Sequence, residues 1–176
     1  MRLAAALLLS SLPLAAFAAG SDPAPPTTTE TTTLCAKGEV WDEKTKACIK
    51  SDDARLDDDS RFGAVRELAY AGRPDEALAV LATMTEGPSD RVLTYLGFAN
   101  RKAGRLELGM QYYTAALTQN PDNILARSYY GQMLVEMNEI ALAQAQLDAI
   151  RTRGGAGTWA EITLAQAITS GATTSY

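Results

Sequence analysis

From residue 61 onward, apolar side chains return every three to four positions, the spacing that gathers them on one face of an α-helix. Phe62, Val65, Leu68 and Ala69 make such a face over 61–71, which stops at Gly72, and Pro74-Asp75-Glu76 opens a second helix running to Met84. Gly87-Pro88-Ser89-Asp90 breaks the chain and caps a helix over 91–102; after a turn at Gly104 the chain returns over 106–119. Asn120-Pro121-Asp122 starts a third pair over 123–137 and 140–151, closed by Gly154-Gly155-Ala156-Gly157. A seventh helix follows, with the capping-box pattern Thr158-Trp159-Ala160-Glu161 and an apolar face of Trp159, Ile162, Ala165 and Ile168 up to Gly171. The pattern changes only near residue 40. There Val40-Trp41 and Ala47-Cys48-Ile49 flank Asp42-Glu43-Lys44-Thr45 and predict two short strands around a turn.

Two of the helix pairs repeat each other at one offset. Gly97 returns as Gly131, Gly104 as Asn138, Leu106 as Ile140, Gly109 as Ala143, Tyr113 as Leu147 and Ala116 as Ile150, each 34 residues on, as 131 − 97. Self-similarity at that period marks an array of helix-turn-helix units. Small residues where two helices cross let the backbones approach, and aromatic or leucine side chains fill the groove beside the contact. Gly97, Gly109, Tyr113, Ala116, Pro121, Gly131 and Ala143 are therefore expected to be structural residues of the repeat.

These residues resemble the tetratricopeptide repeat. The second unit carries the whole pattern in Gly97, Gly104, Gly109, Tyr113, Ala116 and Pro121; the third keeps Gly131 and Ala143 but has Leu147 at the aromatic position and Gly155 in place of proline. The first unit aligns through Gly72 and Ala77 at an offset of 32, and has Val65 where the others have glycine. The resemblance covers about residues 57–152. It implies an all-α fold, a right-handed α-solenoid of three units (58–89, 90–123 and 124–155) with a capping helix over 158–170. A terminal helix with one polar face would seal the last unit. The helical domain would span 56–171, preceded by a small disulfide-closed hairpin, as in small exported repeat proteins of Gram-negative bacteria.

Upstream of the helices the composition shifts. Met1-Arg2, the apolar run to Ala15 and the small residues Ala16-Phe17-Ala18 read as a signal peptide over 1–18, cut before Ala19. Ser10, Ser11 and Pro13 interrupt that run, which argues against a membrane span. The expected location is periplasmic or secreted. Residues 19–34, rich in Pro and Thr, read as a disordered spacer. Loss of Arg2 takes the net charge from −5 to −6, and an acidic chain lacks the basic footprint of a nucleic-acid binder.

Cys35 and Cys48 are the only cysteines and bracket the predicted hairpin over 35–50. In an exported chain an even count predicts one disulfide, worth about 3 kcal/mol for a ring of this size. With no histidine in the chain the two thiols fall short of the four ligands zinc needs, and their spacing is far from a redox Cys-x-x-Cys pair. Trp41 has two readings, an exposed contact for glycan or an anchor packed on the helices. The acidic run Asp52, Asp53, Asp57, Asp58 and Asp59 precedes the first helix, where capping accounts for several of its members and solvation for the rest.

In the resembled family the first helix of each unit lines a concave groove. By register that groove would hold Phe62, Arg66, Thr94, Phe98, Ser128 and Gln132, with Arg91, Arg101 and Lys102 adding positive charge. No acid occurs between Arg91 and Leu106. Such a surface suits an extended protein or peptide partner bearing carboxylates or apolar anchors. The competing expectation is that Tyr95 and Tyr129, which share the groove register, pack between units and that Arg66, Arg91 and Arg101 are ordinary solvated charges. Catalysis has little to work with. Without histidine the usual general base is missing, and Glu67, Asp75, Glu76, Glu107, Glu136 and Glu139 fall at helical surface positions or helix starts. The sequence thus points to a non-enzymatic adaptor without cofactor or metal, and as an alternative to an envelope glycan binder using the Trp41 loop.

Overall fold

The computed structural model describes residues 32–173, which are mostly helical with one small antiparallel hairpin. The proposed signal peptide and all but the last three residues of the proposed spacer lie outside the described residues. The hairpin pairs β1 (Glu39–Asp42) with β2 (Ala47–Lys50), Trp41 opposite Cys48 and Val40 opposite Ile49. The Cys35–Cys48 disulfide closes it, with 5.6 Å between the Cα atoms. Asp42 builds the turn. Its buried carboxylate accepts from the backbone N–H groups of Lys44 and Thr45 and from the Thr45 hydroxyl, which hold its pKa below the usual range.

Seven helices follow: α1 (Asp58–Tyr70), α2 (Pro74–Leu81), α3 (Asp90–Lys102), α4 (Leu106–Gln119), α5 (Ile124–Glu136), α6 (Ile140–Ile150) and α7 (Trp159–Ser170). They pair as hairpins, α1 with α2, α3 with α4 and α5 with α6. α1, α3, α5 and α7 touch in succession, and α2, α4 and α6 each bridge the helices before and after them. Two layers result. Asp57, Ser89, Asn123 and Thr158 cap α1, α3, α5 and α7 with side-chain oxygens. The turns of the second and third pairs both use a left-handed residue, Gly104 at φ 77° and Asn138 at φ 60°. Only residues that tolerate this conformation can repeat there.

The repeat's small residues sit where the helices come closest. A Cβ on Gly97 would lie 2.7 Å from the Tyr113 ring, and one on Gly131 would lie 2.5 Å from a Leu164 methyl of α7. A Cβ on Gly109 would lie 3.1 Å from the Gly97 carbonyl oxygen. Tyr113, Ala116, Ala143 and Leu147 are all buried. Pro121 lies in the turn before α5, where its carbonyl accepts two bonds from Arg127.

Four expectations need correction. Thr32–Leu34 are a short 3-10 turn rather than the end of a disordered spacer. Thr32 accepts from the Trp41 backbone N–H, and Thr33 donates to Glu67 through both backbone and hydroxyl. Glu67 accordingly is buried, not a solvated surface acid. The acidic run does more than cap: Asp58 accepts from Thr85, from the Glu86 backbone and from Arg61, which ties the loop after α2 to the start of α1. Finally, α2 ends at Leu81 rather than Met84, because the Thr83 hydroxyl takes over the Val80 carbonyl and reaches the Ser51 carbonyl of the hairpin segment.

Val40 is what fixes the hairpin to the helices. It is fully buried in the main core with Leu56, Val65, Leu68 and Val80. Arg61 completes the junction from the helical side, donating to the Ser51 and Asp53 carbonyls. Trp41, one residue on, is only half-buried and points to the opposite face of the strand.

Candidate functional site

The first helix of each pair carries aromatic residues at register-related positions, and these rings meet. Centroids run Phe62 to Tyr95 at 5.1 Å, Tyr95 to Phe98 at 6.0 Å, Phe98 to Tyr129 at 4.7 Å and Tyr129 to Trp159 at 6.4 Å. The chain of contacts crosses α1, α3, α5 and α7. Tyr70 joins it from α1, its hydroxyl bonded to that of Tyr95 and, at 3.0 Å, to that of Tyr129. The Phe62–Tyr95 and Tyr129–Trp159 pairs are edge-on and the other two tilted, and aromatic pairs add about 0.5–1.5 kcal/mol each beyond the area they bury. Burial drives the Tyr95 pKa well above that of a free phenol.

Cations sit along this aromatic row. Arg91 lies 4.9 Å over the Phe62 ring and Lys102 lies 5.7 Å from the centre of the Phe98 ring. Arg66, one turn before Tyr70, is half-buried and interacts with the Tyr70 and Tyr95 oxygens. Burial opposes its charge, the two phenols favour it, and the net effect raises its pKa. Burial and the neighbouring Arg101 lower the pKa of Lys102.

Five of the nine groove residues expected from register are not on an open wall. Thr94, Phe98, Arg101, Ser128 and Gln132 are buried, and their polar groups serve the seams between helices. The Thr94 hydroxyl donates to the Asp90 carbonyl at 2.6 Å and accepts from Asn123 Nδ2 at 3.1 Å. Ser128 donates to the Ala160 carbonyl of α7 at 2.7 Å, and Gln132 donates back to Ser128. Arg101 forms a two-pronged pair with Glu136 of α5, at 2.8 and 2.7 Å. Register places a residue on a helix face, but it does not reveal how closely the next helix approaches that face.

The remaining four, Phe62, Arg66, Arg91 and Lys102, are half-buried at the edge of the same row. Arg91 is paired with Glu86 and Asp59, so the lack of acids between Arg91 and Leu106 did not leave it unpaired. Among the described residues no acid pairs with Arg66.

Two features escaped the sequence reading. Tyr70 lies four residues after Arg66 on the same helix face, a spacing that would have placed it in the row. Asn123 caps α5 by accepting from the Ala126 N–H, and its amide also donates to Asp90 and Thr94 of α3. Its position just before an apolar helical run was the available signal.

Among the described residues no cluster of acids and cysteines could hold a metal ion, and no helix is long and apolar enough to cross a membrane. The disulfide is a bond of oxidising compartments and is compatible with a periplasmic or secreted protein. No family model, no curated protein and no solved structure matches the chain.

Proposed function

We propose that this chain is a non-enzymatic adaptor of the tetratricopeptide-repeat type, exported to the periplasm, that holds a protein or peptide partner. In this reading the helix pairs form a short right-handed solenoid closed by α7. The observation that carries it is the equivalence of repeat positions. Residues 34 apart recur in like settings in successive pairs: Gly97 at a close approach to Tyr113 of its own pair and Gly131 at one to Leu164 of α7, Gly104 and Asn138 in left-handed turns, Tyr113 and Leu147 in the core. Such arrays are binding scaffolds, and their function lies in the surface they present. The accessible part of that surface is the edge formed by Phe62, Arg66, Arg91 and Lys102. An aromatic ring among cations suits a partner with carboxylates beside apolar anchors. Catalysis is not part of the reading, since the chain has no histidine and both cysteines are spent in the disulfide.

The test is crosslinking and co-purification from the native periplasm, comparing the parent with a variant carrying Phe62→Ala, Arg66→Glu and Lys102→Glu. A partner captured by the parent and lost by a normally folded variant supports the reading; capture of the same partner by both removes the site from this edge. A second reading rests on Trp41, which faces away from the core while Val40 makes the anchor. Its indole N–H donates to Glu43 at 2.9 Å, leaving the ring face to stack on a sugar. Binding of purified peptidoglycan that disappears in Trp41→Ala would favour that reading.

A further inference from the structure

The layer formed by α2, α4 and α6 changes character along its length. α4 and α6 together hold 25 residues, 14 and 11, yet carry only two charged side chains, Glu107 and Asp148, in a chain that is 21% charged. Their outward positions are instead leucine, isoleucine, alanine, threonine and glutamine. Leu108 is 37% exposed, Ile140 40% and Leu142 52%, three of the five large apolar side chains left exposed among the described residues. Leu108 and Leu142 are 34 residues apart. The repeat thus copies a large apolar side chain at a position left exposed in both units, as well as copying the core. Gln111, Thr114, Ala115 and Thr118 continue the surface along α4 as a shallow groove.

Depletion of charge is the compositional mark of an interface core, more than apolarity alone. The occupant follows from the charge balance. The chain as a whole carries −5, so two copies repel wherever their ordinary surfaces meet. In a two-fold contact a patch faces itself, and a charged patch would meet its own sign. An uncharged apolar patch on an acidic chain removes that obstacle for a second copy, but offers nothing by which a charged partner would be selected. We infer that the α4–α6 face is the contact of a two-fold homodimer. It is separate from the Phe62–Lys102 edge, so the adaptor reading does not depend on it.

The area sets the strength. Helices of these lengths span about 16–21 Å and are each about 10 Å across, so their outward sides give roughly 400 Å² per copy. About 800 Å² in total falls short of the roughly 1,200–2,000 Å² of standard interfaces, so the dimer is weak and depends on concentration.

Sedimentation equilibrium of the purified chain from about 10 to about 500 μM, a range matched to a weak interface, tests this directly. The mass of the parent should climb toward twice that of the monomer. A Leu108→Glu, Leu142→Glu variant and a Leu108→Lys, Leu142→Lys variant, both with parental circular dichroism, should each stay monomeric, and an equimolar mixture of the two should associate again. Restoration in the mixture requires the patch to face itself, which a folding defect cannot imitate. A parent that stays monomeric over the whole range overturns the inference and leaves the face to a different partner. So does association of the Glu variant at parental strength, or a mixture that fails to associate.

Discussion

Adding one methyl group at Gly97 should destabilise the protein, while adding the same group at Gly63 should stabilise it. Both glycines lie inside helices, α1 and α3, so both substitutions gain about 1 kcal/mol of helix propensity. They differ in what the new atom meets. At Gly63 nothing lies within 4 Å of the added Cβ. At Gly97 it would fall 2.7 Å from Tyr113 Cδ1 and Cε1 and 3.0 Å from Cγ. These are atoms of a fully buried ring, near its attachment point, so the ring cannot swing aside as a flexible side-chain end would. Overpacking of this kind costs about 1–3 kcal/mol, and a rigid neighbour puts the value toward the upper end. Gly97→Ala should therefore lose about 2 kcal/mol net and Gly63→Ala gain about 1 kcal/mol, a separation of about 3 kcal/mol. Urea unfolding followed by circular dichroism reads the difference in midpoint at constant slope. Equal midpoints, or a stabilised Gly97→Ala, would refute the claim that the α3–α4 crossing needs glycine.

Three further outcomes are expected. Glu136→Gln leaves the buried Arg101 without its counter-charge and should cost about 1–3 kcal/mol at pH 7. Burial alone would raise the Glu136 pKa, but Arg101 outweighs it and the folded value lies below the ordinary 4.5. The stability this pair supplies is therefore complete above pH 4.5 and lost as pH falls through the folded pKa, so thermal melts of parent and variant should converge under acid conditions. In the hairpin, Val40→Ala should cost about 1–2 kcal/mol and Trp41→Ala less, because only Val40 is fully buried; the reverse order in thermal melts would contradict the orientation of β1. Asn123→Ala removes a helix cap together with the seam bonds to Asp90 and Thr94 and should cost about 1–3 kcal/mol by urea unfolding, more than Thr158→Ala, which loses the cap of α7 and a local bond to the Gly155 carbonyl but no bond between helices.

The helices were legible because a repeating apolar face and its punctuation are local signals. Gly72, Pro74, Ser89, Thr158 and Gly171 mark starts and stops within a few residues of where they fall. The hairpin and its disulfide were legible for a similar reason, two cysteines enclosing a turn and two short strands. The candidate site was legible only in part. Register correctly put Phe62, Arg66, Phe98 and Gln132 on first helices, yet it could not tell that Phe98 stacks 4.7 Å from Tyr129 or that Arg101 reaches Glu136.

Local pattern thus determined the helical segments, their pairing into hairpins and the small residues at the crossings, since propensity, capping and periodicity act over a few residues. The tertiary structure alone decided which charges have partners. Arg91 finds Glu86 and Asp59, Asp58 holds the 85–86 loop, and Glu67 is drawn inside by Thr33. It also decided that Val40 and not Trp41 enters the core, and that Leu108 and Leu142 stay at the surface. These outcomes depend on residues far apart in the chain, because burial and pairing arise from the meeting of two surfaces and neither surface alone encodes them.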